Sequence, residues 1–161
     1  MADWKTYSNN GLFFRYPLDA ELNHVERVKN EFNEGGTEIT VTYIRPGYNQ
    51  PQTDISDGYV FSIAWGEVIG FGTMKEVSQK RYAQFKDGDG FPEMTTLTET
   101  NIANQSAYCM EQGPVFYTKT CYVGNKETVF ELNLFSSSSD VKQKQNYDLV
   151  LSQILSTFKF L

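Results

Sequence analysis

A chain of 161 residues with 40% hydrophobic and 15% aromatic residues has the length of one domain, with core enough to fold unaided. Charged residues make up 21% beside 12 Phe and 10 Tyr, which argues against disorder. The formal charge of −6 is spread along the chain and disfavours nonspecific binding to nucleic acid phosphates. No run reaches the roughly 18 apolar residues of a membrane-crossing helix; the longest candidate, Tyr59–Trp65, is strand-sized.

The opening MADWKTYSNNG is polar throughout and shows no secretory signal. That fits either a cytosolic chain or one that has lost a leader or anchor. From Thr6 to Pro17 the chain gives a turn at Asn10-Gly11, then an aromatic extended run stopped by Pro17. Asp19–Phe32 fits two readings equally. Leu22, Val25, Val28 and Phe32 mark a helical stripe capped by Asp19, but the low apolar density suits an irregular strand as well.

Beyond Gly35-Gly36 the pattern sharpens. Glu38–Arg45 alternates as a half-buried strand, and Pro46–Gly58 has loop composition. Tyr59–Gly70 is β-rich and mostly apolar, as a central strand covered on both faces should be. Thr73 and Glu76 form a capping box for a helix whose apolar side is Met74, Val77, Tyr82 and Phe85 and which ends in Lys86–Gly90. The nearest thing to a basic patch, Lys75, Lys80, Arg81 and Lys86, is interleaved with Glu76 and Asp87 and reads as a solvated helix face.

Extended runs follow at Met94–Ile102, Ala107–Gln112, Val115–Val123 and Thr128–Phe135. Ser136–Ser139 reads as a flexible connector. Val141–Ser156 has helical spacing through Val141, Tyr147, Leu151 and Ile154, and TFKFL closes the chain as a short strand. Many hairpins with few helices imply an α+β fold, helices covering an antiparallel sheet, in a single domain over residues 1–161.

The only two cysteines flank Gly113-Pro114. If Gly113–Tyr117 is a hairpin turn, residues whose numbers sum to 230 oppose each other, and Cys109 meets Cys121. Opposed Cα atoms in an antiparallel pair lie about 4.5–5.5 Å apart, within disulfide range. Two cysteines without a neighbouring histidine leave a zinc site half-built, and a catalytic thiol lacks a basic partner, since His24 is remote in sequence. A disulfide is therefore expected, with two buried thiols as the alternative. Such a bond indicates an oxidising, extracytoplasmic location.

Two terminal stretches, YSNNGLFFRYP and YDLVLSQILSTFKFL, resemble the PsbP-like, Mog1-like superfamily, in particular its secreted or lipid-anchored bacterial members. The matching residues are Tyr7, Gly11, Phe13, Tyr16 and Pro17, then Ile154, Leu155, Ser156, Thr157, Phe158 and Phe160. Many such sequences carry Trp after the Tyr-Pro, where this chain has Leu18-Asp19. The resemblance implies a central antiparallel sheet flanked by helices on both faces, in an extracytoplasmic domain with its leader removed. Members serve as photosystem II accessory subunits or small-GTPase partners, and neither role is carried by the matching residues.

Candidate chemistry is sparse. KDGDGFPE suggests calcium, but aligning Asp87, Asp89 and Gly90 to a calcium loop leaves Phe85 first and Thr96 last, without essential ligands. Asp87, Asp89 and Glu93 remain a weak looser set, and a helix-ending turn explains them better. Asp54 and Asp57 would be the acid pair of a glycan hydrolase, though Asp is common in loops. Tyr43, Tyr48, Tyr59, Tyr108 and Tyr117 would line a surface that stacks on sugars or docks a partner, unless they simply favour sheet geometry, the preferred reading. His24 is expected on the surface, and Asn104-Gln105-Ser106 matches a glycosylation acceptor that would be idle in a bacterial protein. The leading expectation is a monomeric, non-enzymatic extracytoplasmic binding or accessory domain. It needs no cofactor or metal, takes a protein or small ligand and no nucleic acid, and is compatible with membrane anchoring through a preceding segment. A glycan hydrolase and a calcium-dependent structural module are the alternatives.

Overall fold

The computed structural model describes residues 3–30, 34–48, 56–87, 93–113, 118–124 and 128–161. A short sheet is built from β1 (Lys5–Asn9), β2 (Leu12–Tyr16) and β11 (Lys159–Phe160), in the order β1-β2-β11. A larger sheet takes β3 (Glu21–Arg27), β4 (Gly36–Ile44), β5 (Gly58–Trp65), β6 (Glu93–Met94), β7 (Thr98–Ile102), β8 (Gln105–Gly113), β9 (Thr118–Gly124) and β10 (Val129–Ser137). Its order is β3-β4-β5-β10-β9-β8-β6, with β7 also on β8, and every described pairing is antiparallel. Two helices, α1 (Met74–Asp87) and α2 (Val141–Thr157), complete an α+β fold.

Turn chemistry sets the first hairpin. Asn10 and Gly11 have φ of 53° and 72°, the left-handed pair that a two-residue turn requires, so Asn9 faces Leu12. Ala103 and Asn104, at φ 53° and 61°, make a second such turn between β7 and β8, without a glycine to signal it. At Gly36 a Cβ would lie 2.6 Å from the Trp65 carbonyl oxygen, so β4 begins against the end of β5 only because no side chain intervenes.

The main core joins both sheets to α2. Phe14, Val41, Phe61, Ile63, Leu132 and Ile154 are among its fully buried members, with Tyr147, Leu151 and Phe158 from α2 and its end. Strand alternation divides the side chains. Cys121 and Val123 belong to this core, whereas Tyr122 packs with Val77 of α1, Met110 and Val129 in a second cluster.

Several expectations need correction. Of the two readings of Asp19–Phe32 the strand holds and the helix falls: Glu21–Arg27 is an edge strand in which Leu22 alone of the helical stripe packs on the core, while Val25 and Val28 are exposed and Phe32 lies outside the described residues. Period 3.6 and period 2 share too few apolar positions here to separate them, and the open edge of β4 decides. The run Met94–Ile102 breaks into β6 and β7. Met94 faces Gln112 and Thr98 faces Cys109, so the first side carries one extra residue, and Thr95 and Glu111 exchange bonds across the bulge. β5 stops at Trp65, short of Gly70, because Gly66 at φ 97° turns the chain and its carbonyl accepts from the Ile69 and Gly70 amides.

Both helix starts follow the sequence. The Thr73 amide donates to the Glu76 carboxylate (2.9 Å) and the Glu76 amide donates to Thr73 Oγ1 (3.3 Å). Asp140 Oδ1 accepts from the Lys142 and Gln143 amides at 2.8 and 3.2 Å.

Cys109 and Cys121 are directly opposed in the β8–β9 register, with Cα atoms 4.1 Å apart, and are joined by a disulfide. The bond ties neighbouring strands within the main core and closes a loop with a sequence separation of 12. Replacing both cysteines by serine is expected to lower the unfolding free energy by about 2–3 kcal/mol in urea titrations. The unreduced protein should weigh two hydrogen atoms less than the reduced one.

Candidate functional site

α2 lies on β5, β10 and β2, and along one flank of the helix a groove opens toward Glu111 of β8 and Lys119 of β9 at one end and the β7–β8 turn at the other. Its narrow end, about 280 Å³, is bounded by Glu111 and Lys119 on the sheet and by Lys144, Asp148 and Leu151 on the helix. Its wide end, about 570 Å³, lies between the β7–β8 turn at 101–104 and the end of α2 with Phe158, Lys159 and Phe160. Ser152 and Leu155 line both ends, so the two cavities adjoin along the helix flank. Glu111 and Lys119 face each other two residues beyond Cys109 and Cys121 on the same faces of their strands, so the disulfide fixes the groove's sheet wall.

The two ends differ electrically. In the narrow end charges are paired: Lys144 Nζ lies 3.0 Å from Asp148 Oδ2, and Lys119 Nζ 3.8 Å from Glu111 Oε1. Asp148 Oδ1 also accepts from Ser136 Oγ. The wide end has no acidic residue in its lining and one cation, Lys159, whose ammonium stands 5.8 Å from the centre of the Phe13 ring.

The candidate acids separate. Asp54 lies outside the described residues, and Asp57 is 1% exposed. Its Oδ1 accepts from the Tyr147 hydroxyl at 2.6 Å, its Oδ2 from Ser138 Oγ at 3.0 Å, and Arg45 Nη1 stands 3.5 Å from Oδ2. A buried carboxylate with both oxygens occupied is a structural tie between the start of β5 and the start of α2. Ser136–Ser139 is accordingly no flexible connector. Ser136 is buried and bonded to Asp148, Ser137 Oγ donates to the Ser56 carbonyl (3.4 Å), and Ser138 holds Asp57. The partners are remote in sequence, which is why composition alone misleads there.

For the calcium set, Asp87 ends α1 and is exposed, Glu93 opens β6 opposite Gly113, and Asp89 lies outside the described residues. Among the described residues no group of three His, Cys, Asp or Glu is placed to hold a metal ion. His24 is on β3 opposite Ile39, exposed, with Nε2 3.8 Å from Glu26 Oε1.

The tyrosines do not share one surface. Tyr43 and Tyr59 stack at 5.4 Å and meet Tyr147 at 5.9 and 5.8 Å inside the α2 layer, and Tyr48 lies against the Arg45 guanidinium at 5.3 Å. Tyr108 faces Tyr122, whose side chain packs with α1, and Tyr117 lies outside the described residues. Burial, then the bond given to Asp57, pushes the Tyr147 phenol up to about 12. Burial, with Asp19 next, also raises Tyr59, and burial, with Glu131 next, raises Tyr122.

The helix patch is half right. Lys75, Lys80 and Lys86 are exposed, but Arg81 turns inward and binds Glu131 Oε2 through Nε (3.3 Å) and Nη2 (3.2 Å). Glu131 Oε1 accepts from Asn133 Nδ2 at 3.1 Å, and Asn133 Oδ1 from Thr120 Oγ1 at 2.8 Å. This network, like the groove, was missed from the sequence, because polar residues in strand alternation look solvent-facing until a helix covers them.

Two antiparallel sheets, one extended by a strand from the chain's end, with two helices packed on them, define the PsbP/Mog1-like fold, and solved structures agree. The solution structure of CyanoP, the PsbP of the cyanobacterium Synechocystis sp. PCC 6803, matches 100% of this chain and 94% of its own, with TM-score 0.57 and 15% identity. LpqN, involved in cell envelope biogenesis of Mycobacterium tuberculosis, matches 97% of this chain and 89% of its own, with TM-score 0.50 and 14% identity. No protein-family model and no curated protein matches the chain. At these identities the likeness is one of fold.

Tyr147→Phe removes a donor from the buried carboxylate and is expected to cost about 1–3 kcal/mol of stability, measured by denaturant titration. The folded chain holds Tyr147 neutral beyond the ordinary phenol range. Its contribution is therefore complete below about pH 10 and lost as the pH rises through about 12. Tyrosinate absorbance at alkaline pH should develop late for this residue, as for Tyr59 and Tyr122, and the Phe variant should lose one part of that late rise.

Arg81→Ala leaves Glu131 buried without its cation. About 2–4 kcal/mol of destabilisation is expected, since Arg81 is itself partly exposed. Arg81→Met combined with Glu131→Leu should recover much of that loss in the same assay.

Proposed function

We propose that residues 1–161 form a single PsbP-like domain of the extracytoplasmic space, a monomeric, non-enzymatic accessory module that presents the α2 groove to a partner or ligand. In this reading the layers form a sandwich, α2 with the small sheet on one face of the large sheet and α1 on the other. The division of alternating strand residues between two apolar clusters supports that arrangement. The Cys109–Cys121 bond supports the compartment, because disulfides persist outside the reducing cytosol. The involvement of LpqN in cell envelope biogenesis and the PsbP identity of CyanoP are compatible with an accessory role here.

The observation that carries the proposal is the groove itself. It is an open concavity whose acidic residues are all paired with lysines, with Leu155 lining both ends, which suits recognition better than reaction chemistry. The hydrolase reading has less support, because Asp57 is enclosed by Tyr147, Ser138 and Arg45.

A photo-crosslinking residue placed at Leu155 in the native host tests this. A discrete adduct at Leu155, absent when the same residue replaces Lys75 on the exposed face of α1, is the expected result. Equal labelling at both sites, or none at Leu155, rejects the groove as the binding surface. A second readout is the thiol state in the host, where both cysteines should resist alkylation until reductant is added.

A further inference from the structure

We infer that the wide end of the groove is a binding site for a neutral saccharide, an assignment that rests on the groove being the recognition surface. Three polar side chains in its lining, Asn101, Asn104 and Ser152, make no hydrogen bond within the described chain. Ser156 Oγ donates to the Gln153 carbonyl at 2.7 Å and keeps its lone pairs as acceptors. Carboxamides and hydroxyls both donate and accept, as does each hydroxyl of a sugar.

The lining bears on the ligand class. A cation would look for carboxylates, and the wide end has none. Lys159, exposed beside the Phe13 ring, is the single charge in the lining and stands at one end of it, while the other polar side chains are uncharged. Those uncharged donors and acceptors suit an uncharged ligand rich in hydroxyls. A pyranose also has an apolar face of C–H bonds, and the groove offers a surface for it. Phe160 is half-buried, its ring held by Phe158 at 5.2 Å and Phe130 at 5.3 Å, with Leu155 alongside.

Geometry favours preorganisation. Asn104 sits in a two-residue turn whose φ angles, 53° and 61°, are fixed by the Ile102–Gln105 pairing, so the amide-bearing tip is part of the sheet. Ser152 and Ser156 are one helical turn apart on α2 and present their hydroxyls along the same flank. The volume, about 570 Å³, falls within the roughly 300–1,000 Å³ of small-molecule sites and suits one to three sugar rings.

The test titrates the intact, oxidised chain by calorimetry with maltotriose, cellotriose and the N-acetylglucosamine trimer, and with the galacturonate trimer as the anionic counterpart. At least one neutral trisaccharide is expected to bind, and the galacturonate trimer not to. Asn104→Gly keeps the left-handed turn while removing the carboxamide, and Ser152→Ala removes a solvent-facing hydroxyl. Each should weaken binding about tenfold without a change in melting temperature. Lys75→Ala, on α1, should bind as the unmodified chain does. Three results overturn the assignment: no neutral sugar bound, preference for the galacturonate trimer, or binding that both variants leave intact. If the crosslink at Leu155 forms while all sugars fail, the saccharide assignment falls and the groove stands as a recognition surface. If the crosslink is also absent, both fall.

Discussion

One buried carboxylate holds the architecture together. Asp57 stands where β5 begins, and a charge there is tolerable only because Tyr147, Ser138 and Arg45 supply hydrogen and positive charge to it. Each partner belongs to a different part of the chain: α2, the segment before its cap, and the end of β4. The contact therefore fixes where the helix starts. At the other end Thr157 Oγ1 accepts from the Arg15 amide at 2.8 Å while donating to the Ile154 carbonyl, and Phe158 is buried. A helix secured at both ends cannot roll, and the groove along its flank keeps its shape for that reason.

The two ends of the chain close on each other beneath that helix. β11 pairs with β2 through Lys159–Phe13 and Phe160–Leu12, and the Leu161 amide reaches the Gly11 carbonyl at 2.8 Å. The terminal residues that suggested the fold are thus packing partners across the small sheet and α2. Tyr7, Tyr16, Ile154 and Phe158 are all buried in one core, so the same residues that reveal the architecture carry no information on chemistry.

What was legible in the sequence was local. The Asn10-Gly11 turn, the Thr73–Glu76 box, the alternation of β4 and the opposition of Cys109 to Cys121 each depend on residues close in sequence. What was hidden depended on distant partners. Ser138 finds Asp57 and Arg81 finds Glu131 only after the sheet has formed, and the groove exists only between elements separated along the chain. β3 shows the limit from the other side: with Leu22 alone directed to the core, its own residues hardly specify a conformation, and the neighbouring strand supplies it. Tyr122 is a residue no sequence pattern marks, fully buried with its hydroxyl beside the Arg81–Glu131 pair.

β3 bounds the large sheet on its far side and turns a line of amides and carbonyls outward. Glu21, Glu26 and Arg27 decorate that line, and all three are exposed. A second molecule trying to continue the ribbon would have to bring its own copies of these charges alongside, desolvate them and break the Arg27–Glu38 contact of 2.6 Å. Edge-to-edge growth of the sheet is thereby opposed by charge that would have to be stripped of water, built into the least ordered-looking stretch of the sequence.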